Sequence, residues 1–282
     1  LLNGNTIKKI RINKGYTQKY VAKDILSQSS YSKFEAELSD VHSIAYINFL
    51  DRLDMTLEEV RFINNDFKHG QVQQIINNFF SLPYNDVTAL EKIKIEINNA
   101  LKKHQNILLL DIKLICEALI SLNIKNDINI VRIIVEPVWN RLSKLNQWYL
   151  SDILLINTIL YFFPNDTAIA ISSRIIERLE LYDGFQNSQK LIISFKINLT
   201  LLLIKEGDFL KALEMLTIII QKHKKSMSYQ SLAVCFARIS ICNNKLGRTN
   251  ATTCIQQARL LLKIYDDLDF LVNVEKEYAY YK

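Results

Sequence analysis

An all-α fold is predicted for this 282-residue chain: an N-terminal helix-turn-helix domain over residues 1–67, then a tetratricopeptide-like helical-repeat domain over residues 68–282. Three observations predict it. Apolar residues make up 49% of the chain while Pro and Gly number 3 and 6, which favours long helices over turn-rich sheets. Residues 5–35 hold two N-cap signals, Thr17 and Ser27, each opening a short helical pattern. Beyond residue 68, polar breaks return roughly every 40 residues, the period of a two-helix repeat.

In the first helix, Ile7 and Ile10 share a face, Lys8, Lys9, Arg11 and Lys14 flank them, and Gly15 stops it. Thr17 caps the second helix, whose small buried face is Val21 and Ala22. The turn falls near Asp24-Ile25-Leu26, and Ser27 caps the third helix. Leu26 and Tyr31 stand at the spacing of a hydrophobic staple. The third helix buries Tyr31 and Phe34, leaving Gln28, Ser29, Ser32 and Lys33 on the open side. Those are groove-reading chemistries: Gln bonds an adenine edge, Lys reaches guanine or phosphate, and Ser fits either. Gln28, Ser29 and Lys33 are therefore expected on base edges, with Arg11, Lys14 and Gln18 on phosphate. The partner implied is double-stranded DNA, an operator; the bland alternative is a surface hairpin with solvated charges.

Charge agrees through its distribution. The net value is +6, with a pI near 9.0. Residues 1–23 hold six basic residues and no acid, whereas residues 24–67 hold three basic and nine acidic. Segregation of this kind produces one basic edge, as a phosphate footprint requires. Further on, Glu58 to Phe67 should finish the first domain, with Lys68-His69-Gly70 as a link.

The repeat breaks form two series. Asn126-Asp127, Asn165-Asp166, Gly207-Asp208 and Gly247-Arg248 offer Gly or Asn where a helix ends in a left-handed residue. Gln105-Asn106, Asn146-Gln147, Asn187-Ser188 and Met227-Ser228 form the second. The first helix of each pair then spans about 106–122, 147–163, 187–206 and 228–247, and these line a concave surface. Shifting by one repeat superposes Asn157 on Asn198, two amides among Leu and Ile where Asn has poor helix propensity. Either they bond neighbouring helices, or they grip the main chain of an extended peptide. Arg141, Arg174 and Arg238 are candidate carboxylate clamps, against the alternative of solvated surface charges.

Other classes receive no support. The sequence has no Gly-rich phosphate loop, HExxH or GxSxG, and its four His (42, 69, 104, 223) are scattered, so no enzyme and no cofactor is expected. Cys116, Cys235, Cys242 and Cys254 form no CxxC pair and read as reduced core residues, not as a disulfide framework or a metal site. The chain opens on Leu1, as expected of a sequence that begins after its natural start, and its polar, basic beginning lacks a signal-peptide core. The most apolar stretch, Ile153 to Phe163, is too short to span a bilayer, so no membrane segment is expected.

The runs Ile-Lys-Lys-Ile-Arg-Ile-Asn-Lys-Gly-Tyr-Thr-Gln, Ser-Gln-Ser-Ser-Tyr-Ser-Lys-Phe-Glu and Leu-Asp-Met-Thr-Leu-Glu-Glu-Val, all within residues 4–66, resemble the Rgg/GadR/MutR regulators of Gram-positive bacteria. Trp148 to Asn157 resembles a second recognisable segment of that family. The resemblance implies an XRE-like DNA-binding domain on a helical repeat domain, in a cytoplasmic homodimer. It also implies that short hydrophobic signalling peptides, secreted and re-imported, bind in the concave face. Some members carry a Cys in the DNA-binding domain that links the dimer; residues 1–67 contain none, so that lock is not carried over. Glu-Ala-Glu-Leu at 35–38 stands where the family commonly has Glu-x-Gly, which puts the turn after the third helix in question. The alternative reading keeps DNA binding but leaves the repeats only dimerisation or a protein partner. The dimer contact is expected near Leu268, Phe270, Leu271 and Val274.

Overall fold

A computed structural model describes residues 3–82, 86–103, 105–182, 184–185 and 188–282; His104 and Asn187 lie outside them. Every regular element among the described residues is helical. Contacts divide the chain into two units, Leu1–Tyr84 with Lys92–Leu109, and Asn85–Glu91 with Leu110–Lys282.

The N-terminal unit opens with α1 (Gly4–Asn13), capped by the Asn3 side chain on the Thr6 amide. Gly4 is required by packing: a Cβ there would run into the Phe34 carbonyl. Gly15, at φ +74°, closes α1 in the left-handed conformation that glycine adopts without steric penalty. α2 (Gln18–Ala22) is capped by Thr17 on the Tyr20 amide, and α3 (Gln28–Glu35) by Ser27 on the Ser30 amide. α4 (Ser43–Arg52) and α5 (Leu57–Asn64) complete the core, in which Ile7, Val21, Tyr31, Phe34, Phe49 and Leu53 are all but inaccessible. Tyr31 meets Phe49 edge-on at 4.8 Å, the arrangement that ring quadrupoles favour. The turn after α3 is made by Glu37 at φ +59°. The left-handed geometry that a glycine would supply is thus kept without one, at a steric cost of about 1–2 kcal/mol.

Lys68-His69-Gly70 does link α5 to α6 (Gln71–Phe80), but the first unit's contacts continue past residue 67 through α6 and much of α7 (Val87–Leu101). Ile75 and Phe79 of α6 are buried.

The second unit stacks helices in pairs. The first helices are α8 (Ile107–Lys125), α10 (Leu150–Ile159, extended by a 3-10 turn at Leu160–Phe162), α12 (Ser188–Lys205) and α14 (Tyr229–Lys245). They alternate in the chain with α9 (Ile128–Leu142), α11 (Asn165–Glu180), α13 (Phe209–His223) and α15 (Ala251–Ile264), α12 packing on α13 and α14 on α15, and α16 (Leu268–Tyr281) closes the series. Successive helices from α11 to α16 pack on each other, and α12, α14 and α16 also pack in a row. Sequence pattern explains the two roles. α11 buries a single stripe, Ala168, Ile171, Ser172, Ile175 and Leu179, as a helix with one covered face must. α12 buries residues around most of its circumference, Ile192, Ile193, Phe195, Ile197, Leu199 and Leu203 among them, because helices from both sides cover it.

Asn126 (φ +51°), Gly207 (φ +80°) and Gly247 (φ +66°) end their helices in the left-handed region. The Asn165-Asp166 break needs correction. The interruption falls at Phe163-Pro164, and Asn165 begins α11. Pro164 stands at the N-cap, where the N–H that it lacks is not needed, and Asp166 complements the positive end of the helix. Near the α9–α10 corner Trp148 is buried, its Nε1 donating to the Leu142 carbonyl at 2.8 Å. Its ring lies 6.4 Å from that of Trp139, and Phe163 covers Trp139 at 4.7 Å. No described helix is long and apolar enough to cross a membrane.

Candidate nucleic-acid and ligand sites

α3 presents the face that its sequence predicts. Gln28, Ser29 and Lys33 are exposed, while Tyr31 and Phe34 on the opposite side anchor the helix in the aromatic core. Ser32 is half-buried. Ser27 and Ser30 share a hydroxyl hydrogen bond at 2.9 Å, so the first turn is held by side chains as well as by the cap. Lys8, Lys9, Lys14, Lys19 and Lys23 are all exposed.

Arg11 does something other than predicted. It is buried, with Nε and Nη2 donating to the two Glu35 carboxylate oxygens at 2.6 and 2.9 Å and Nη1 donating to the Tyr16 carbonyl at 2.7 Å. Its fork is consumed inside the unit, which removes it from the phosphate set. Gln18 is half-buried, and its Nε2 donates to Glu35 at 2.8 Å, so its position is fixed by the same carboxylate. Burial alone would raise the Glu35 carboxyl; the hydrogen bonds from Arg11 and Gln18 more than offset that and hold it below its ordinary value. Glu35 thereby ties α1, α2 and α3 together. Sequence reading missed it. The available signal was an acid directly after the core residue Phe34, at the end of the third helix. Arg52 was missed too: it donates to the Tyr20 carbonyl at 2.9 Å and lies 3.8 Å from Asp24, supporting the turn between α2 and α3.

In the repeat unit, Asn157 of α10 and Asn198 of α12 meet. Asn198 Nδ2 donates to Asn157 Oδ1 at 2.9 Å, and Asn157 Nδ2 donates to Ser194 Oγ at 3.4 Å. Both residues are half-buried. Each amide nitrogen keeps a second hydrogen, and Asn198 Oδ1 has no donor among the described residues.

The three arginines are not a free set. Arg141 binds Asp111 through Nε and Nη2 at 2.8 and 2.6 Å and lies 3.7 Å from Asp152. Burial raises the Asp111 carboxyl despite that partner. Arg238 is buried and forks onto Glu277 of α16 at 2.6 and 3.0 Å, with Nη1 donating to the Ile197 carbonyl at 2.6 Å. Both are carboxylate clamps, but on carboxylates of their own chain, because a desolvated guanidinium needs a partner in the fold. Arg174 is exposed on α11, a second helix, and stacks 4.9 Å over Trp148. Beside Arg238, Lys205 lies 5.3 Å over the Tyr161 ring, and burial holds its ammonium below the usual lysine value.

Of the residues expected at a dimer contact, Val274 is buried within its own chain, Phe270 and Leu271 are half-buried, and Leu268 is exposed. The four cysteines are thiols and not disulfides, and burial pushes the Cys235 and Cys242 thiols up to about 12. No group of three or more His, Cys, Asp or Glu among the described residues is placed to hold a metal ion.

A sequence profile for the C-terminal domain of the HTH-type transcriptional regulator Rgg matches residues 90–278. No curated protein sequence gives a significant match. Among solved structures, a protein from Listeria monocytogenes EGD-e superposes with a TM-score of 0.74 at 20% identity, over 98% of this chain and 96% of that one. The SHP pheromone receptor Rgg2 of Streptococcus dysgalactiae does so with 0.73 at 16%, over 99% and 100%. PlcR of Bacillus thuringiensis, solved in complex with the peptide PapR7 and DNA, does so with 0.69 at 15%, over 96% and 98%. At these identities the likeness is one of fold.

Proposed function

Since the chain belongs to the Rgg family of HTH-type transcriptional regulators, we propose that it binds operator DNA through α3 and is switched by a short hydrophobic peptide held along the first helices of its repeats. The observation that carries the DNA half is the α3 face: three polar, exposed side chains on a doubly capped helix, seated on a rigid aromatic core. Gln28, Ser29 and Lys33 read base edges, and Lys14 and Gln18 meet phosphate. A recognition helix of eight residues covers a half-site, so the operator is read by a homodimer. That the similarly folded PlcR was solved with both a peptide and DNA supports the pairing of ligands. On this reading the protein acts in the cytoplasm, where its DNA is, as a regulator and not as an enzyme.

The Asn157–Asn198 pair carries the peptide half. Linked to each other, the two amides still offer one acceptor and two donors, as a strand's main chain requires. Main-chain bonds supply affinity and flanking apolar pockets supply selectivity. The peptide shifts the regulator only insofar as it binds one dimer arrangement better than the other.

Fluorescence anisotropy with an operator selected from random DNA tests both halves. Gln28→Ala should cost about 1–3 kcal/mol and relax preference at one position. Asn157→Ala and Asn198→Ala should keep basal DNA binding and lose the response to the cognate peptide. Undiminished affinity and selectivity in Gln28→Ala would discard the assigned recognition helix. An intact peptide response in both Asn variants would leave the repeats as an assembly module.

A further inference from the structure

At the far end of the repeat unit, a cavity of about 610 Å³ opens between α13, α14 and the loop that leads into α15. Two polar groups face it without partners. Asn243 of α14 is only 6% exposed and lines the cavity, yet its side-chain amide makes no hydrogen bond among the described residues. The polar atoms of that amide are open to the cavity, so both can receive a ligand there. Arg248 at the rim is exposed and forms no ion pair or side-chain hydrogen bond among the described residues.

The loop adds a third element. α15 runs for 14 residues, and its N-cap residue Asn250 makes no side-chain cap bond. The first turn of α15 has no side-chain cap; a turn at Thr249-Asn250 directs one of its leading amides at the Arg248 carbonyl and the others stay at the positive end of the helix, next to Arg248 in sequence. Leu213, Thr217 and Arg248 are shared with an adjoining groove of about 320 Å³ that continues over Leu210 and Ile218, which are 53% and 48% exposed. Glu214 lines that groove as well and disfavours a second negative charge there.

We infer that this end of the repeat unit is a binding site for a small amphipathic monocarboxylate, with the carboxylate on Arg248, the Asn243 amide and the α15 amides, and the apolar chain along Leu213 and Ile218. Neither Asn157 nor Asn198 lines it, and it does not rest on the peptide reading.

Octanoate is a suitable probe, with octan-1-ol (no charge) and inorganic phosphate (no chain) as its controls, each titrated calorimetrically into the full-length protein. Octanoate should bind, and both controls should bind at least about tenfold more weakly, because a charge-assisted contact and the apolar contact must act together. Arg248→Ala, a change on an exposed loop, should weaken octanoate about tenfold or more, and Asn157→Ala should not. Cys254 provides a second readout: it is half-buried in the cavity wall while the other three thiols are buried, so bound octanoate should slow its reaction with a thiol reagent. The inference is overturned if millimolar octanoate gives no heat, if phosphate matches it, or if Arg248→Ala leaves both the affinity and the protection of Cys254 unchanged.

Discussion

Replacing Arg11 by Met should unsettle the DNA-binding unit without removing a phosphate contact. In the structure the Arg11 and Glu35 side chains are 11% and 1% exposed, and both Glu35 oxygens receive a guanidinium hydrogen. Removing the cation strands the carboxylate with Gln18 as its remaining donor. Breaking a buried pair from one side costs about 3–5 kcal/mol, most of it the price of an uncompensated charge. The loss is local, so hydrogen exchange read by mass spectrometry over α3 is the appropriate assay. Amide protection there should fall by up to that amount, and adding Glu35→Leu should restore much of it. DNA binding separates the two roles of the residue. A phosphate contact contributes about 0.9 to the slope of log affinity against log salt. Arg11→Met, measured where it is still folded, should leave that slope unaltered, whereas Lys14→Ala should flatten it. A flattened slope with normal α3 protection in Arg11→Met would refute the internal assignment.

Three further outcomes are expected. Glu37→Gly should stabilise the N-terminal unit by about 1 kcal/mol in thermal unfolding, since it relieves a left-handed non-glycine residue; the weak contact from the Asn5 amide to Glu37 at 3.3 Å is all that it forfeits. Gly4→Ala should instead destabilise that unit by about 1–3 kcal/mol, because the new methyl meets the rigid Phe34 carbonyl and not a movable side chain. Stability of the unit should also decline in acid: Glu35 is held below its ordinary value of 4.5, so its contribution is fully present above that pH and is lost as the pH falls through the lower folded-state value, a decline that Glu35→Gln should remove from the pH profile of unfolding.

Local patterns were legible in the sequence and pairings were not. Thr17 and Ser27 cap where they were expected because an N-cap needs only its own next three residues. The breaks at Asn126, Gly207 and Gly247 were readable for the same reason, since left-handed ends select Gly and Asn. Asn165 misled because the adjoining Pro164 ends one helix and begins the next, and a Pro-Asn-Asp run carries both signals at once. The equivalence of Asn157 and Asn198 was visible as a period, and the structure joins them through 2.9 Å. The arginines could not be read this way. Whether Arg11 or Arg238 faces solvent depends on Glu35 and Glu277, which are 24 and 39 residues away, and no local pattern encodes such a pairing.

The only two tryptophans, Trp139 and Trp148, stand together in the repeat unit, with Arg174 over one and Phe163 against the other. Tryptophan emission therefore samples a single corner of the repeat unit, where α9 gives way to α10. Residues 3–82 contain tyrosines but no tryptophan, so red-edge excitation does not select their fluorophores, while a shift of the guanidinium above Trp148 changes that ring's surroundings directly. A titration followed at that wavelength is in effect a local instrument, responsive to rearrangement beside the segment that ends at Asn157.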